Sequence, residues 1–391
     1  MTGQIGPGST IGILGAGQLG RMLAMVARRM GYRVAVFGGD RDSPAGQVCD
    51  RVWPGNYQDE AGLLEFAASA DVVTYEFENI PSSAAALIAD HTPLCPGVEL
   101  LHAAQNRFAE KTALTGIGLP TAGFCMVRSA AELEAVRQQA GGAVILKANT
   151  EGYDGKGQWA VNSETQAAAV WEDAGLAEAI VEHRVDFQFE LSVVAGRYAD
   201  GTISFFDPLL NHHANHILDV SVSRAPEVTF SIVEQAQQMA RAVLEHFDVV
   251  GVLCLELFLT QDGRLIVNEI APRPHNSGHL TIEAYNCSQF ELQLRTVCGL
   301  PAVELTRLAP AAAMANLLGQ HLPESWNTRL PCLSESGTNL HLYGKPGRRQ
   351  NRKMGHVTAI ADDARAAEQR VRRVRDSLCC PAPSAQSVAP A

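Results

Sequence analysis

The sequence predicts an N-terminal α/β unit built on a parallel sheet, an α+β body of antiparallel hairpins behind it, and a small third unit at the C-terminal end. Three observations carry this. The first hundred residues alternate short apolar runs with helical segments. Strand candidates then crowd between residues 143 and 271 around one clear helix. After Gly299-Leu300-Pro301 the composition changes once more. At 391 residues the chain is too long for one ordinary core and fits two or three domains.

Thr10-Ile11-Gly12-Ile13-Leu14 is an apolar run closed by Gly15, followed by a helical face of Leu19, Met22, Leu23 and Val26. Arg33 to Phe37 and Asp71 to Tyr75 are the next strand candidates. Strands that alternate with helices imply a parallel sheet covered on both faces. Pro93, Pro96 and Gly97 interrupt the pattern and place a boundary near 92–106, before a helix from about Gln105 to Thr115. Strands are then expected at 143–148, 178–182, 187–195, 202–206, 250–260 and 264–271. Ile232, Ala236, Met239, Val243 and Phe247 give the helix among them, and Gln261-Asp262-Gly263 is the turn of a hairpin. The third unit ends in a helix carrying Ala364, Ala367, Val371, Val374 and Leu378. The expected units are 1–104, 105–300 and 301–380, with a Pro-, Ala- and Ser-rich disordered tail at 381–391.

A formal charge of −11 argues against a nucleic-acid footprint, which needs clustered Lys and Arg. No basic region followed by an apolar run opens the chain, and no apolar stretch is long enough for a bilayer, so neither a signal peptide nor a membrane partner is expected. The cysteines are scattered without a C-x-x-C pair, which suits buried or idle thiols in a reducing compartment, the cytoplasm.

Five groups of residues carry chemistry. Gly15-Ala16-Gly17-Gln18-Leu19-Gly20 lies between a strand and a helix, where glycines let backbone N–H groups approach a phosphate. With Asp40 after the second strand it also reads as a dinucleotide site, and close helix–strand packing without a ligand is the plain alternative. Lys147 runs from a strand into Gly152-Tyr153-Asp154-Gly155-Lys156-Gly157-Gln158, two cations and a flexible backbone that suit nucleotide phosphates, though the pattern is not a Walker loop. Glu256 and Asn268-Glu269 sit on two strands joined by a short turn, in apolar surroundings where a carboxylate is costly unless paired or ligating a cation. Oxygen ligands from two strands suit Mg²⁺ held against ATP phosphates. The loop Arg273-Pro274-His275-Asn276-Ser277-Gly278-His279 follows, in which Arg273 ranks first as the group that meets a developing anion. Glu182, Val185 and Glu190 are suggestive of a purine edge and ribose hydroxyls.

Together these residues resemble the ATP-grasp superfamily, and within it the 5-(carboxyamino)imidazole ribonucleotide synthase family of purine-biosynthesis carboxylases. The resemblance rests on Gly17 to Met22, Tyr75-Glu76-Phe77-Glu78-Asn79-Ile80-Pro81, Gly152 to Gln158, Asn268 to His279, Ser288 to Glu291 and Arg352-Lys353-Met354-Gly355-His356, in order from about Ile11 to Val357. It implies an ATP-grasp architecture with a preceding α/β domain and a small C-terminal domain. It implies ATP at Arg107, Lys147, the loop 152–158, Glu182, His183, Arg184, Val185, Glu190, His213, Asn268 and Glu269, and Mg²⁺ at Glu256 and Glu269. The loop 15–20, with Gln18 and Leu19, would serve the ribose phosphate of aminoimidazole ribonucleotide. Glu76, Tyr153, Asp154, Lys156, Arg273, His275, Asn276, Lys345 and Arg352 would line the rest of that site. Phosphoryl transfer to bicarbonate is implied, with Lys147, Asp154, Lys156 and Arg273 at the chemistry, the loop 152–158 as a lid, and a homodimer as the assembly.

Two departures stand out. Ala148-Asn149-Thr150-Glu151 replaces a lead-in that is usually more basic, and His216 stands where the family usually has Gly. The three histidines at 212, 213 and 216 read as a surface or nucleotide-adjacent loop and not as a metal site. Rival readings remain: a formate-using glycinamide ribonucleotide transformylase, an NAD-linked oxidoreductase built on Gly15 to Gly20, and an inactive ATP-grasp relic that serves as a binding module.

Overall fold

The computed structural model describes residues 3–150, 157–162, 164–323, 325–326 and 334–379. Residues 151–156 of the phosphate loop, and with them most of the expected lid, lie outside the described residues, as does the tail 381–391.

Strands β1 (Thr10–Leu14), β2 (Arg33–Phe37), β3 (Arg51–Trp53) and β4 (Val72–Tyr75) form a parallel sheet of order β3-β2-β1-β4. β1 has an apolar run because both faces are covered. Ile11 and Ile13 pack with Leu19, Met22 and Leu23 of the helix Gln18–Arg29, while Leu14 packs with Leu63 and Phe66 of the helix Glu60–Ala68. The unit closes at Asn106, which ends the helix Val98–Gln105 and caps the next one, its side chain accepting from Ala109 N at 2.9 Å.

Strands β5 (Phe124–Val127), β6 (Val144–Lys147), β7 (Gln158–Val161) and β8 (Ala179–His183) make a small antiparallel sheet of order β5-β8-β6-β7. Two helices, Ala130–Gln139 and Glu164–Ala174, cover one face of it.

The largest sheet collects β9 (Phe187–Arg197), β10 (Ile203–Phe205), β11 (Leu209–Ala214), β12 (Ile217–Ser223), β13 (Gly251–Thr260), β14 (Leu265–Ala271), β15 (Ala311–Leu318), β16 (Thr338–Leu342) and β17 (Lys353–Ala361). Its order is β14-β13-β9-β11-β12-β15-β17-β16, with β10 on β9. The helix Phe230–His246 lays Ile232, Ala236, Met239 and Val243 against Leu253, Leu255 and Leu257. The third unit does not build its own sheet. β15 pairs with β12, and the helix Ala364–Cys379 shares one core with Val220 and Val222 of β12.

Residues 211–218 are a hairpin and not the loop expected from the sequence. β11 and β12 are joined by Asn215-His216 alone, and His212 and His213 lie on β11 itself. Both turn residues have positive φ, 50° and 63°, the backbone of a type I′ turn. Strand twist selects that turn, and its second position favours glycine because a Cβ there crowds the backbone. His216→Gly is therefore expected to raise stability by about 0.5–1 kcal/mol, read as a shift in urea midpoint at unchanged slope.

Candidate active site

Glu256 and Glu269 are direct cross-strand partners in the β13–β14 ladder. Opposed residues in such a pair hold their Cβ atoms about 5 Å apart on one face, so two bare carboxylates would repel. Each has its own cation. Glu269 Oε2 lies 2.9 Å from Arg107 Nη1, and Glu256 Oε1 lies 2.9 Å from His275 Nε2. Burial opposes the charge on Glu269, but Arg107 and Lys147 outweigh it and hold its pKa at about 2. Burial likewise opposes a proton on His275, yet Cys254 and Glu256 lift its pKa to about 10. The imidazole is steadied behind by Ser277 Oγ, 2.9 Å from Nδ1. Ser277 stands at the end of a buried chain through Ser192, Asn211 and Ser221.

β6 delivers Lys147 to this cleft as its last residue. In the β6–β8 ladder Glu182 stands opposite Ile145, so Lys147 is its diagonal neighbour on the same face, with Nζ 2.9 Å from Oε2. Burial lowers the lysine's pKa against the pull of Glu182. Burial also works against Glu182, but Lys147 and Lys111 hold it below the usual carboxylate range. Glu182 is thus the partner of Lys147, whatever else it binds. His183 N donates to Gly123 O at 2.7 Å and Arg184 N to Ala143 O, so these two residues secure the end of β8 before Val185 leads into β9. Glu190 on β9 meets His213 on β11, Oε1 to Nδ1 3.2 Å. Gly157 accepts from Ala148 N across the foot of the loop, and Gln158 opens β7.

The glycine loop also closes on a carboxylate of the chain itself. The Glu76 carboxylate accepts from Gly17 N and, at 2.7 Å, from Gly20 N. A Cβ at residue 17 would lie 2.5 Å from Glu76 Oε1, which accounts for the glycine there. Two of the loop's backbone donors are therefore engaged by the protein's own anion, whose pKa burial raises despite those donors. Leu19 points into the core and Gln18 is half-buried. Arg273 is also engaged: its guanidinium grips Glu78, Nη2 to Oε1 2.9 Å with Nε on Oε2. Asn276 is buried, and its amide nitrogen has no partner among the described residues. Lys345 Nζ donates to Lys353 O at 2.7 Å and Arg352 Nη1 to Pro346 O at 2.8 Å, both in the turn before β17. Gln47 of the first unit reaches the same turn through Gly344 O, and Arg21 Nη1 bonds Gln47 at 2.8 Å. His279 is enclosed among His356, Phe290 and Gln289, a structural position.

The sequence reading missed Glu78, Glu110 and Lys111. The last two had a signal. Arg107, Glu110, Lys111 and Leu114 fall at spacings of three and four, and they form the buried face of the helix Arg107–Gly116. Charged residues on an inward stripe mark paired or working groups. Glu110 accepts from Ile270 N and is pushed by burial up to about 8. Asn149, one of the departures, caps that helix: its carbonyl takes Arg107 N at 2.9 Å and its side chain Phe108 N at 3.0 Å. Among the described residues no three His, Cys, Asp or Glu side chains are placed to hold a metal by themselves.

A small antiparallel sheet that carries a lysine, facing a larger one that carries paired acids, is the arrangement of an ATP-grasp enzyme. The ATP-grasp domain model matches residues 112–290, the ribonucleotide synthetase preATP-grasp domain 9–105, and the phosphoribosylaminoimidazole carboxylase C-terminal domain 312–370. The N5-carboxyaminoimidazole ribonucleotide synthase of Bacillus subtilis (strain 168) is 42% identical over 361 residues, covering 90% of this chain and 91% of its own. That of Brucella melitensis is 43% identical over 357 residues, covering 90% and 97%. Among solved structures, the Thermus thermophilus synthetase superposes with a TM-score of 0.86 at 37% identity, covering 94% and 98%. The Aspergillus clavatus synthase in complex with ADP and 5-aminoimidazole ribonucleotide gives 0.86 at 30%, covering 95% and 98%. The chain belongs to the N5-carboxyaminoimidazole ribonucleotide synthase family of ATP-grasp ligases.

Proposed function

We propose that this chain uses ATP and bicarbonate to carboxylate the exocyclic amine of 5-aminoimidazole ribonucleotide, forming the N-carboxyamino product of purine biosynthesis. The observation that carries it is the Glu256–Glu269 cross-strand pair facing Arg107 and Lys147. Each carboxylate has one oxygen in an ion pair and a second that can face a cation, and Glu269 is 37% exposed toward the cleft. Hard oxygen donors in this number fit Mg²⁺, which takes one or two carboxylates together with phosphate oxygens. Bound there, Mg²⁺ would supply charge compensation at the γ-phosphoryl group.

The protein's own contribution is positioning and electrostatics. Lys147 and Arg107 draw the phosphates into the cleft, and Glu190 with His213 offers a polar pair to the nucleoside end. A bicarbonate oxygen attacks the γ-phosphorus, the bond to the bridging oxygen breaks, and ADP leaves. The amine nitrogen of the ribonucleotide then attacks the carbonyl carbon of the carboxyphosphate, phosphate departs with the C–O bonding pair, and the nitrogen loses a proton. Asp154 and Lys156 belong to this reading as lid residues over a mixed anhydride that water would destroy. Lys345 and Arg352, with Arg21 across the cleft, supply positive charge for the ribose phosphate. The units 1–104, 105–300 and 301–380, Mg²⁺ as the ion, a homodimer and a cytoplasmic location are part of the same proposal. No helix among the described residues is long and apolar enough to cross a membrane.

The decisive experiment supplies ATP, labelled bicarbonate and aminoimidazole ribonucleotide to the purified protein. ADP release and label in the ribonucleotide are expected together. ADP release with formate in place of bicarbonate would revive the transformylase reading, and no ADP release in any mixture would sink the ligase reading.

A further inference from the structure

Lys111 has no place in the chemistry above, yet it is fully buried. A lysine is seldom enclosed unless its charge is required there. Its ammonium donates to Asn268 O at 3.0 Å and lies 3.5 Å from Glu182 Oε1. Lys147 holds the other oxygen of the same carboxylate, 2.9 Å from Oε2. One carboxylate therefore stands between two ammonium groups, with side-chain exposures of 1% for Lys111, 5% for Glu182 and 8% for Lys147. Oε1 is buried and makes no hydrogen bond among the described residues, and Lys111 is the cation beside it.

With two cations on one acid, the acid stays paired when one of them turns to a ligand. Lys147 ends β6 at the start of the glycine-rich loop, where a bound phosphate would compete with Glu182 for its ammonium. In a dry site, removing a carboxylate's sole counter-ion strands a buried charge, and that cost would be charged against nucleotide binding. Lys111 rises from the inward face of the helix Arg107–Gly116, behind Glu182, and its bond to the Asn268 carbonyl keeps it there. We propose that Lys111 is a positioning residue, the resident counter-ion of Glu182 that frees Lys147 to bind nucleotide phosphate. The inference rests on the reading of this cleft as a nucleotide site.

The test is the affinity for ADP, measured by calorimetry on the full chain in a two-by-two set: wild type, K111M, E182Q and K111M/E182Q. K111M is expected to weaken ADP binding by about tenfold or more, because Lys147 becomes the only ammonium group on Glu182 among the described residues. In the E182Q background, where no carboxylate needs a counter-ion, the same K111M change is expected to alter affinity by less than about threefold. K111M that binds ADP like wild type, or that loses affinity equally in both backgrounds, would overturn the role assigned to Lys111. Should K111M not fold, the comparison of E182Q with the double variant decides alone, and a loss above about tenfold there overturns it. A wild type that binds no ADP at all would instead bring down the nucleotide-site reading, and this proposal with it.

Discussion

Glu269→Ala is expected to lower turnover by roughly 10²–10³-fold, the scale seen when one electrostatic stabiliser is taken from a phosphoryl or acyl transfer site. Two effects add. The cross-strand partner Glu256 is left as the only acid on that face of the β13–β14 pair. Arg107, with a side chain only 10% exposed, also loses the carboxylate at 2.9 Å that balances it. The second effect separates from the first by comparison with Glu269→Gln, which keeps a hydrogen-bond acceptor for Arg107 but removes the charge. Both variants should lose kcat, while Glu269→Ala should lose stability as well, seen in its urea midpoint. Glu256→Ala in either background should add little further loss, because residues that act as a unit are not additive. Activity of Glu269→Ala within about threefold of wild type would remove the carboxylate pair from the mechanism.

The closeness of that pair was legible in the sequence for a local reason. Gln261-Asp262-Gly263 is short enough to make β13 and β14 antiparallel neighbours, which brings the two acids close. Their exact pairing was not legible: the turn's register points Glu256 at Asn268, and a bulge between Glu256 and Leu257 sets Glu269 opposite it. β1 and β2 were equally legible because their burial on both faces produces continuous apolar runs. The third unit's strands were not. β15 reads Ala-Ala-Ala-Met-Ala-Asn-Leu-Leu, an alanine-rich stretch whose local preference is helical. It is a strand because β12 and β17 flank it and small side chains let helix and sheet close over it, a tertiary decision absent from the eight residues themselves. The carboxylate that meets the glycine loop was hidden for the same kind of reason. Glycines announce a close approach to the helix N-terminus, but not that the approaching group is Glu76, 59 residues from Gly17.

Glu78 shows how far such long-range pairing reaches, and it supports the second large effect. It lies 195 residues from Arg273, yet the two form a two-pronged ion pair between the first unit and the strand exit that follows the acid pair. The side chains are 24% and 15% exposed, dry enough for an unpaired guanidinium to be costly. Glu78→Gln is therefore expected to cost about 2–4 kcal/mol of stability, and Glu78→Gln with Arg273→Gln less than the sum of the two single changes. The difference, taken from urea unfolding of the four-member cycle, measures the coupling between the units. Burial raises the pKa of Glu78, but Arg273 outweighs it and holds the carboxyl below its ordinary value of 4.5. A depressed folded-state pKa means the pair's contribution is complete above that value and fades as the pH falls below it. The wild type should accordingly lose stability on acidification through that window, and Glu78→Gln should lose less. Parallel acid profiles for the two proteins would show that the ion pair is not what joins the first unit to the catalytic sheet.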